Sequence, residues 1–280
     1  MTELGEDRYG KQAIRLVRVV KDGPRHVVRD LTVGITLQGA AFGASYVNGD
    51  NALVIATDTM KNTVYAFARD RLSGSIEAFG RVLAEHFAAA PQVDRATVSI
   101  REHRWERLAA GGAPALDAFA RDSSWTRVAW VAVAGREVTI EAGIEDLALM
   151  KTAKSSFAGF PRDPFTTLAE TSDRIMATQV RARWRYVSPT IDHDAVFERV
   201  RATFLEVFAE HDSPSVQASI WIVGRAVLER HPEVAEISMA LPNLHHLLVD
   251  LAPFGLDNPG LVFVATTEPH GLIEATVRRS

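Results

Sequence analysis

The 280-residue chain contains no cysteine. That excludes disulfides, thiolate metal sites, iron–sulfur clusters and cysteine nucleophiles, and it leaves no thiol to be damaged if the protein generates an oxidant. Neither sign of charge is in excess: 31 Lys and Arg face 35 Asp and Glu, a net charge of −4. No general attraction to nucleic acid or an anionic membrane follows, although a local basic pocket remains open. No run approaches the roughly 18–20 apolar residues that span a bilayer. The opening MTELGEDRYGK lacks the apolar stretch of a secretory signal, and the closing VRRS is not a peroxisomal SKL tail. The expected address is the cytoplasm, with neither nucleic acid nor membrane as partner. There is no Walker motif and no G-x-G-x-x-G, so a nucleotide-phosphate cradle is not expected.

What is present is ordinary globular material, 47% apolar and 24% charged, with room for one large domain or two smaller ones. Ile14–Val20 and His26–Leu37 read as a β-hairpin around Lys21-Asp22-Gly23-Pro24. A helix is expected from Asp58 or Thr59, with Met60, Val64 and Phe67 on one face, and a second from about Ser75, carrying Ile76, Phe79, Leu83 and Phe87. A strand at 96–104 and an extended segment ending in VAWVAVA (128–134) complete an order ββααββ. The second half repeats it. Strands are expected at 138–150 and 180–187, helices from Asp192 or Asp194 and over 215–230, then strands from Ala235 on to Leu251 and from Leu261 to Val277.

The repetition also shows in residues. GRVLAEH (80–86) with Pro91 following is echoed by GRAVLERH (224–231) with Pro232 following. The chain therefore reads as two copies of one α+β unit, residues 1–134 and 135–280, each an antiparallel sheet with its helices on one face. A sheet covered on one face only predicts a second sheet or subunit over the other.

The stretch 154–174, KSSFAGFPRDPFTTLAETSDR, is long for a connection and concentrates aromatics and arginine, which favours a functional role. On spacing alone Phe157, Phe160 and Phe165 could equally anchor the loop on the core, and Arg174 could be a surface group. Asp192-His193-Asp194 and His245-His246 are the densest metal-ligand types. The first reads as a helix cap, and neighbours on a strand point to opposite faces, so no metal site is assigned.

Phe157, Phe160, Phe165, Leu168 and Arg174, preceded by LALMKTAKSS from Leu147, resemble the signature of the urate oxidases (uricases). RYGK ending at Lys11, ATDTMKN from Ala56, SVQA from Ser215, LPNLH ending at His245 and PHGLIEAT from Pro269 match the same family in order along the whole chain. Met150, Ala153 and Ala158 depart from the usual pattern, and many relatives continue past the position of Ser280. The resemblance implies two tandem tunnelling-fold (T-fold) units of ββααββ order and a homotetramer with its sites at subunit interfaces. It further implies oxidation of urate by O₂ and water to 5-hydroxyisourate and hydrogen peroxide without metal or organic cofactor.

Under that resemblance Arg174 is the guanidinium fork for an anionic purine edge. Gln217 reads the opposite edge, Phe157 stacks on the ring, and Leu168 and Val216 form walls. Asp58 offers its main-chain N–H, and Asn243, with Thr57, holds O₂, peroxide or water. Lys11, Thr57 and His245 form a proton relay. Lys11 and Thr57 are implied to come from one subunit and Phe157, Arg174, Gln217, Asn243 and His245 from its neighbour. Without the resemblance Lys11 reads as a surface lysine, Thr57 as a helix-start residue, His245 as a strand histidine and Gln217 as an exposed helix residue. The alternative function is a non-catalytic purine- or pterin-binding T-fold protein, which would need Arg174, Gln217 and Phe157 but not the relay; a structural scaffold would need neither.

Overall fold

The computed structural model describes residues 2–279. The chain divides into two compact units, one running to Gly143 and taking in Arg185–Val196, the other covering Ile144–Trp184 and the chain from Phe197 on.

Unit 1 opens with the expected hairpin, β1 (Tyr9–Val20) against β2 (Val27–Gln38), antiparallel from Tyr9↔Leu37 to Val20↔Val27. A 3₁₀ turn (Ala40–Phe42) and a short helix α1 (Gly43–Asn48), neither foreseen, lead into α2 (Thr57–Arg71) and α3 (Ile76–Ala88). β3 (Arg95–Glu102) then pairs with β2. A hairpin of β4 (Trp105–Ala110) and β5 (Ala113–Arg121) follows, and β6 (Thr126–Ala134) returns to β3. β7 (Glu137–Lys151) continues from this unit into the next, which contains most of β8 (Met176–Tyr186) and of α4 (His193–Glu210), then α5 (Val216–Arg230), β9 (Val234–Leu244), β10 (His246–Leu248), β11 (Phe263–Ala265) and β12 (Gly271–Arg278). Strand order is β1-β2-β3-β6-β7 in unit 1 and β7-β8-β9-β12 in unit 2.

Both halves thus follow ββααββ, and both carry an extra pair of short strands at the same place, between the third and fourth strands of the sheet. The expected single strand from Leu261 to Val277 is broken. Phe263–Ala265 pairs with His246–Leu248, and only Gly271–Arg278 joins the main sheet, against β9. The run from Ala235 to Leu251 is likewise divided at His245, and the extended segment before VAWVAVA is the β4–β5 hairpin, turning at Gly111-Gly112 with φ of 61° and 80°. Pattern alone could not separate these strands, because several lie exposed and show no two-residue alternation: five of the six β4 residues are exposed.

The helices bury the stripes read from their spacing. Ile76, Phe79, Leu83 and Phe87 of α3 are all buried, and α4 buries Phe197, Val200, Phe204 and Val207 at the same helical spacing of three and four residues. On α2 the inward residues are Met60, Val64 and Ala68; Phe67 is half-buried and meets the edge of His86 instead. α3 rests on β3 and β6, and α5 on β9 and β12. Ser75 and Ser215 occupy the same N-cap position in the two copies, each accepting a hydrogen bond from the backbone N–H three residues on, at 3.1 Å, worth about 1 kcal/mol. Gly80 and Gly224 also correspond. A Cβ on Gly80 would lie 2.9 Å from Val131 on β6, and one on Gly224 2.6 Å from Val277 on β12. Glycine lets each helix sit this close to the last strand of its sheet, the physical content of the repeated Gly-Arg motif.

The opposite sheet faces are mixed, with Val128, Trp130 and Ala132 of β6 beside polar neighbours. They carry Thr97, Ser99 and Arg101 on β3, and Gln179, Arg181 and Arg183 on β8. Unit 1 holds a buried charge cluster. Arg127 binds both oxygens of Glu77 at 2.8 and 3.1 Å and reaches Asp194 at 2.7 Å. Asp192 caps α4 through Ala195 N–H at 3.0 Å, as the helix-cap reading of Asp192-His193-Asp194 required.

Candidate active site

Three predicted residues meet in unit 1. Near the start of β1, Gly10 lies so close to β2 that a Cβ would fall 1.8 Å from the Ile35 carbonyl oxygen. Lys11 pairs with Ile35, and the register then shifts before Ile14, with Ala13 at φ 57°. A bulge of this kind re-aims side chains on the bulged strand, and it leaves Lys11 half-buried. Thr57 and Asp58 begin α2, whose N-cap, Ala56, has no side chain to cap the first turn. Free N–H groups therefore point outward beside Thr57 and Asp58, where an anion is favoured.

Asp58 accepts from Lys61 and, at 2.9 Å, from Asn62. The Lys61 bond and charge hold its carboxyl below the usual range, and the Lys11 charge adds to the effect. Tyr9 joins the two segments. Its hydroxyl accepts the Ile55 N–H at 2.8 Å, and its ring stands edge-on to Phe42 at 4.9 Å. One tyrosine thus ties the residue two before Lys11 to the residue two before Thr57. The sequence reading passed over it, although it stands inside the RYGK motif.

Four more meet in unit 2. The segment after β7, expected to be irregular, is laced by backbone bonds. Phe157 and Thr171 exchange both, at 2.9 and 3.0 Å, and Arg174 N–H donates to Ser155 O at 2.8 Å. Ser213 N–H donates to Lys154 O and Ser156 N–H to Ser213 O, each at 2.8 Å. Ser213 stands two residues before the α5 cap, so this bridge brings the loop to the N-terminus of α5, where Val216 is buried and Gln217 exposed. Phe157 stacks on Phe160 at 5.0 Å with planes 14° apart, and the Arg174 guanidinium carbon lies 5.3 Å from the Phe157 ring centre.

Neither ring anchors the loop in the core: both are half-buried, and Phe165 at the tip is 89% exposed. Leu168 is also exposed, at 53%. The Arg174 Nε is buried with no hydrogen-bond partner, and burial lowers its pKa from the usual arginine value. A guanidinium stays cationic even so; an unpartnered donor of this kind is primed for an anion.

Asn243 and His245 come from a third place in unit 2, the end of β9. Asn243 stands opposite Gly271, and the His245 carbonyl accepts the Thr266 N–H at 2.8 Å; both side chains are half-buried. Two open cavities lie elsewhere. One of about 460 Å³ borders Leu4, Asp7, Gln38 and Gly43, and one of about 320 Å³ borders Trp221, Arg225 and Val277; neither holds a predicted site residue. Among the described residues no group of three or more His, Asp or Glu is disposed to hold a metal ion, and no helix is long and apolar enough to cross a membrane.

Comparison with known proteins adds independent findings. The sequence profile of the family described as "Uricase" matches residues 7–132 and 140–274. The chain is 48% identical over 277 residues to a uricase of Arthrobacter globiformis, covering 99% of this chain and 90% of that one. It is 38% identical over 284 residues to a uricase of Dictyostelium discoideum, covering 100% and 99%. The crystal structure of the Arthrobacter globiformis uricase superposes with a TM-score of 0.95 at 47% identity, covering 100% of this chain and 96% of that one.

Proposed function

The chain belongs to the uricase family, an α+β fold of two tandem T-fold units, and from that membership we propose that it oxidises urate with the residues described above. The reaction takes urate, O₂ and water to 5-hydroxyisourate and hydrogen peroxide. Two electrons and two protons leave the urate–water pair and reduce O₂ to peroxide, and the oxygen of water stays on the purine carbon. The observation that carries the reading is the buried, unpartnered Arg174 Nε beside the Phe157 ring. A planar anion needs a flat apolar face and a forked cationic donor in one place.

Arg174 then fixes the anionic edge of urate. Gln217 gives and accepts on the opposite edge, Phe157 stacks on the ring, and Val216 and Leu168 border it. The Asp58 N–H, at the uncapped start of α2, meets the imidazole side. Lys11, Thr57 and His245 move the further proton that must leave the urate monoanion before the ring is electron-rich enough to reduce O₂; a threonine hydroxyl can pass it on because it both gives and takes one. Asn243 and Thr57 hold O₂ and later water above the ring.

The two groups of residues belong to different chains in this proposal: Lys11, Thr57 and Asp58 of one copy complete the Phe157–Arg174 corner of its neighbour in a homotetramer. The residue chemistry above calls on no metal or organic cofactor. The unit boundary we adopt for the duplication is 1–134 and 135–280. Purified, chelator-treated protein should consume urate and release an equal amount of peroxide. Tight urate binding without turnover would instead support a purine-binding protein, and neither binding nor turnover would end the proposal.

A further inference from the structure

Beneath the Phe157–Arg174 corner lies a buried polar chain that the proposed chemistry does not use. The His211 Nδ1–H donates to the Val207 carbonyl at 2.7 Å, since a carbonyl can only accept. In the neutral ring Nε2 is then an acceptor, and it takes the Ser219 hydroxyl at 2.8 Å. Burial keeps His211 below its usual pKa, which favours that neutral form. Ser219 Oγ in turn lies 2.8 Å from Ser213 Oγ, which also lies 3.1 Å from the Ser215 carbonyl. Ser219 and Ser213 are 0% and 2% exposed. Lys151, the buried last residue of β7, donates to the carbonyls of Phe208 at 3.1 Å, Ala209 at 3.3 Å and His211, pinning the end of α4 from which the chain starts.

Ser213 is the point where this chain meets the site. Its hydroxyl faces inward to Ser219, while its backbone N–H and C=O hold Lys154 and Ser156, the residues just before Phe157. Two residues on, Ser215 caps the helix that presents Val216 and Gln217. We infer that Ser213, held by Ser219 and His211, is a positioning residue that sets the separation between the Phe157–Arg174 loop and the Gln217 end of α5, and so the width of the urate-binding corner. The inference rests on the reading of that corner as the urate site.

Loss of the clamp lets the loop and helix drift, and binding geometry is sensitive to shifts of about 1 Å. Ser219→Ala and Ser213→Ala should therefore raise KM for urate about tenfold with kcat changed less than about threefold. Thr203→Val serves as the control. It removes the equally buried 2.8 Å contact to His231 on the same pair of helices, away from the loop, and should lower Tm without moving KM. Ser219→Ala deletes only a hydroxyl and leaves Ser213 its bond to Ser215 O, so it carries the test if Ser213→Ala fails to fold. If the serine variants shift Tm as Thr203→Val does and leave KM within twofold, the residues are structural only and the inference is overturned. Arg174→Ala, measured alongside, separates the two levels: an unchanged KM there overturns the site itself, whereas a raised KM with inert serine variants overturns only the clamp.

Discussion

Arg174 and Lys11 have opposite local environments, and their substitutions should read differently. Arg174 keeps a buried donor without a partner, so its role is to meet an anion. Arg174→Ala should raise KM about 10- to 100-fold, the worth of one or two charge-assisted hydrogen bonds, with a smaller change in kcat. Lys11 and Thr57 sit at a strand bulge and a helix start and are assigned proton transfer. Lys11→Met and Thr57→Ala should cut kcat by about 10²–10⁴ with KM within about threefold. Steady-state kinetics on the three variants checks this; equal losses in both constants for all three would contradict the division of labour. Spacing alone left each of these residues with an ordinary alternative, because a lone lysine, threonine or arginine carries no record of what it faces. The resemblance of ordered motifs singled them out, and the fold then brought Lys11 near Asp58 and Arg174 over Phe157.

At the scale of elements, the two copies share a helix–strand contact that tolerates no side chain. Gly224→Ala would press a methyl group to 2.6 Å from Val277 Cγ2, and Gly80→Ala one to 2.9 Å from Val131 Cγ2. Each should destabilise by about 1–3 kcal/mol, the usual cost of overpacking, with Gly224→Ala the more severe. Val277→Ala should partly restore Gly224→Ala, because it removes the methyl groups in the way. Thermal denaturation of the single and double variants measures this, and a double variant no better than Gly224→Ala would refute the contact as the cause. The long helices and the first hairpin were legible because one face of each is buried. The β4–β5 and β10–β11 strands were not, since an exposed strand has no apolar side to mark it.

For the whole molecule, five histidines behave alike. His86, His103, His193, His211 and His231 are each held below the ordinary value of 6.5, chiefly by burial and then by neighbouring cations such as Arg71, Arg15, Arg127, Lys151 and Arg199. The unfolded chain takes up protons near pH 6.5, while the folded chain resists until lower pH. The unfolded state therefore binds more protons in that window, and stability falls as pH drops from about 7 through it. Melting curves at pH 7, 6 and 5 should show a declining Tm; a flat or rising profile would count against buried neutral histidines.

The proposed homotetramer offers a second test at this scale. At urate concentrations near the native KM, where Lys11→Met and Arg174→Ala chains are each strongly impaired alone, coexpression should recover up to about a quarter of native sites, if every site draws on two chains and mixing is random. No recovery in demonstrably mixed oligomers would place both groups in one chain.

The amino-acid order by itself determined the helices, the first hairpin and the repeated ββααββ plan, because apolar periodicity and glycine, proline and serine punctuation act within a few residues of where they stand. It also carried the family, through motifs whose residue types and order survive without coordinates. Only the tertiary structure decided that Tyr9 links the Lys11 strand to the start of α2, that Ser213 stitches the Phe157 loop to α5, and that Arg174 is left with a donor to spare. Those outcomes depend on hydrogen bonds between residues tens of positions apart, and no local pattern reports which distant partner a buried polar atom will find or fail to find.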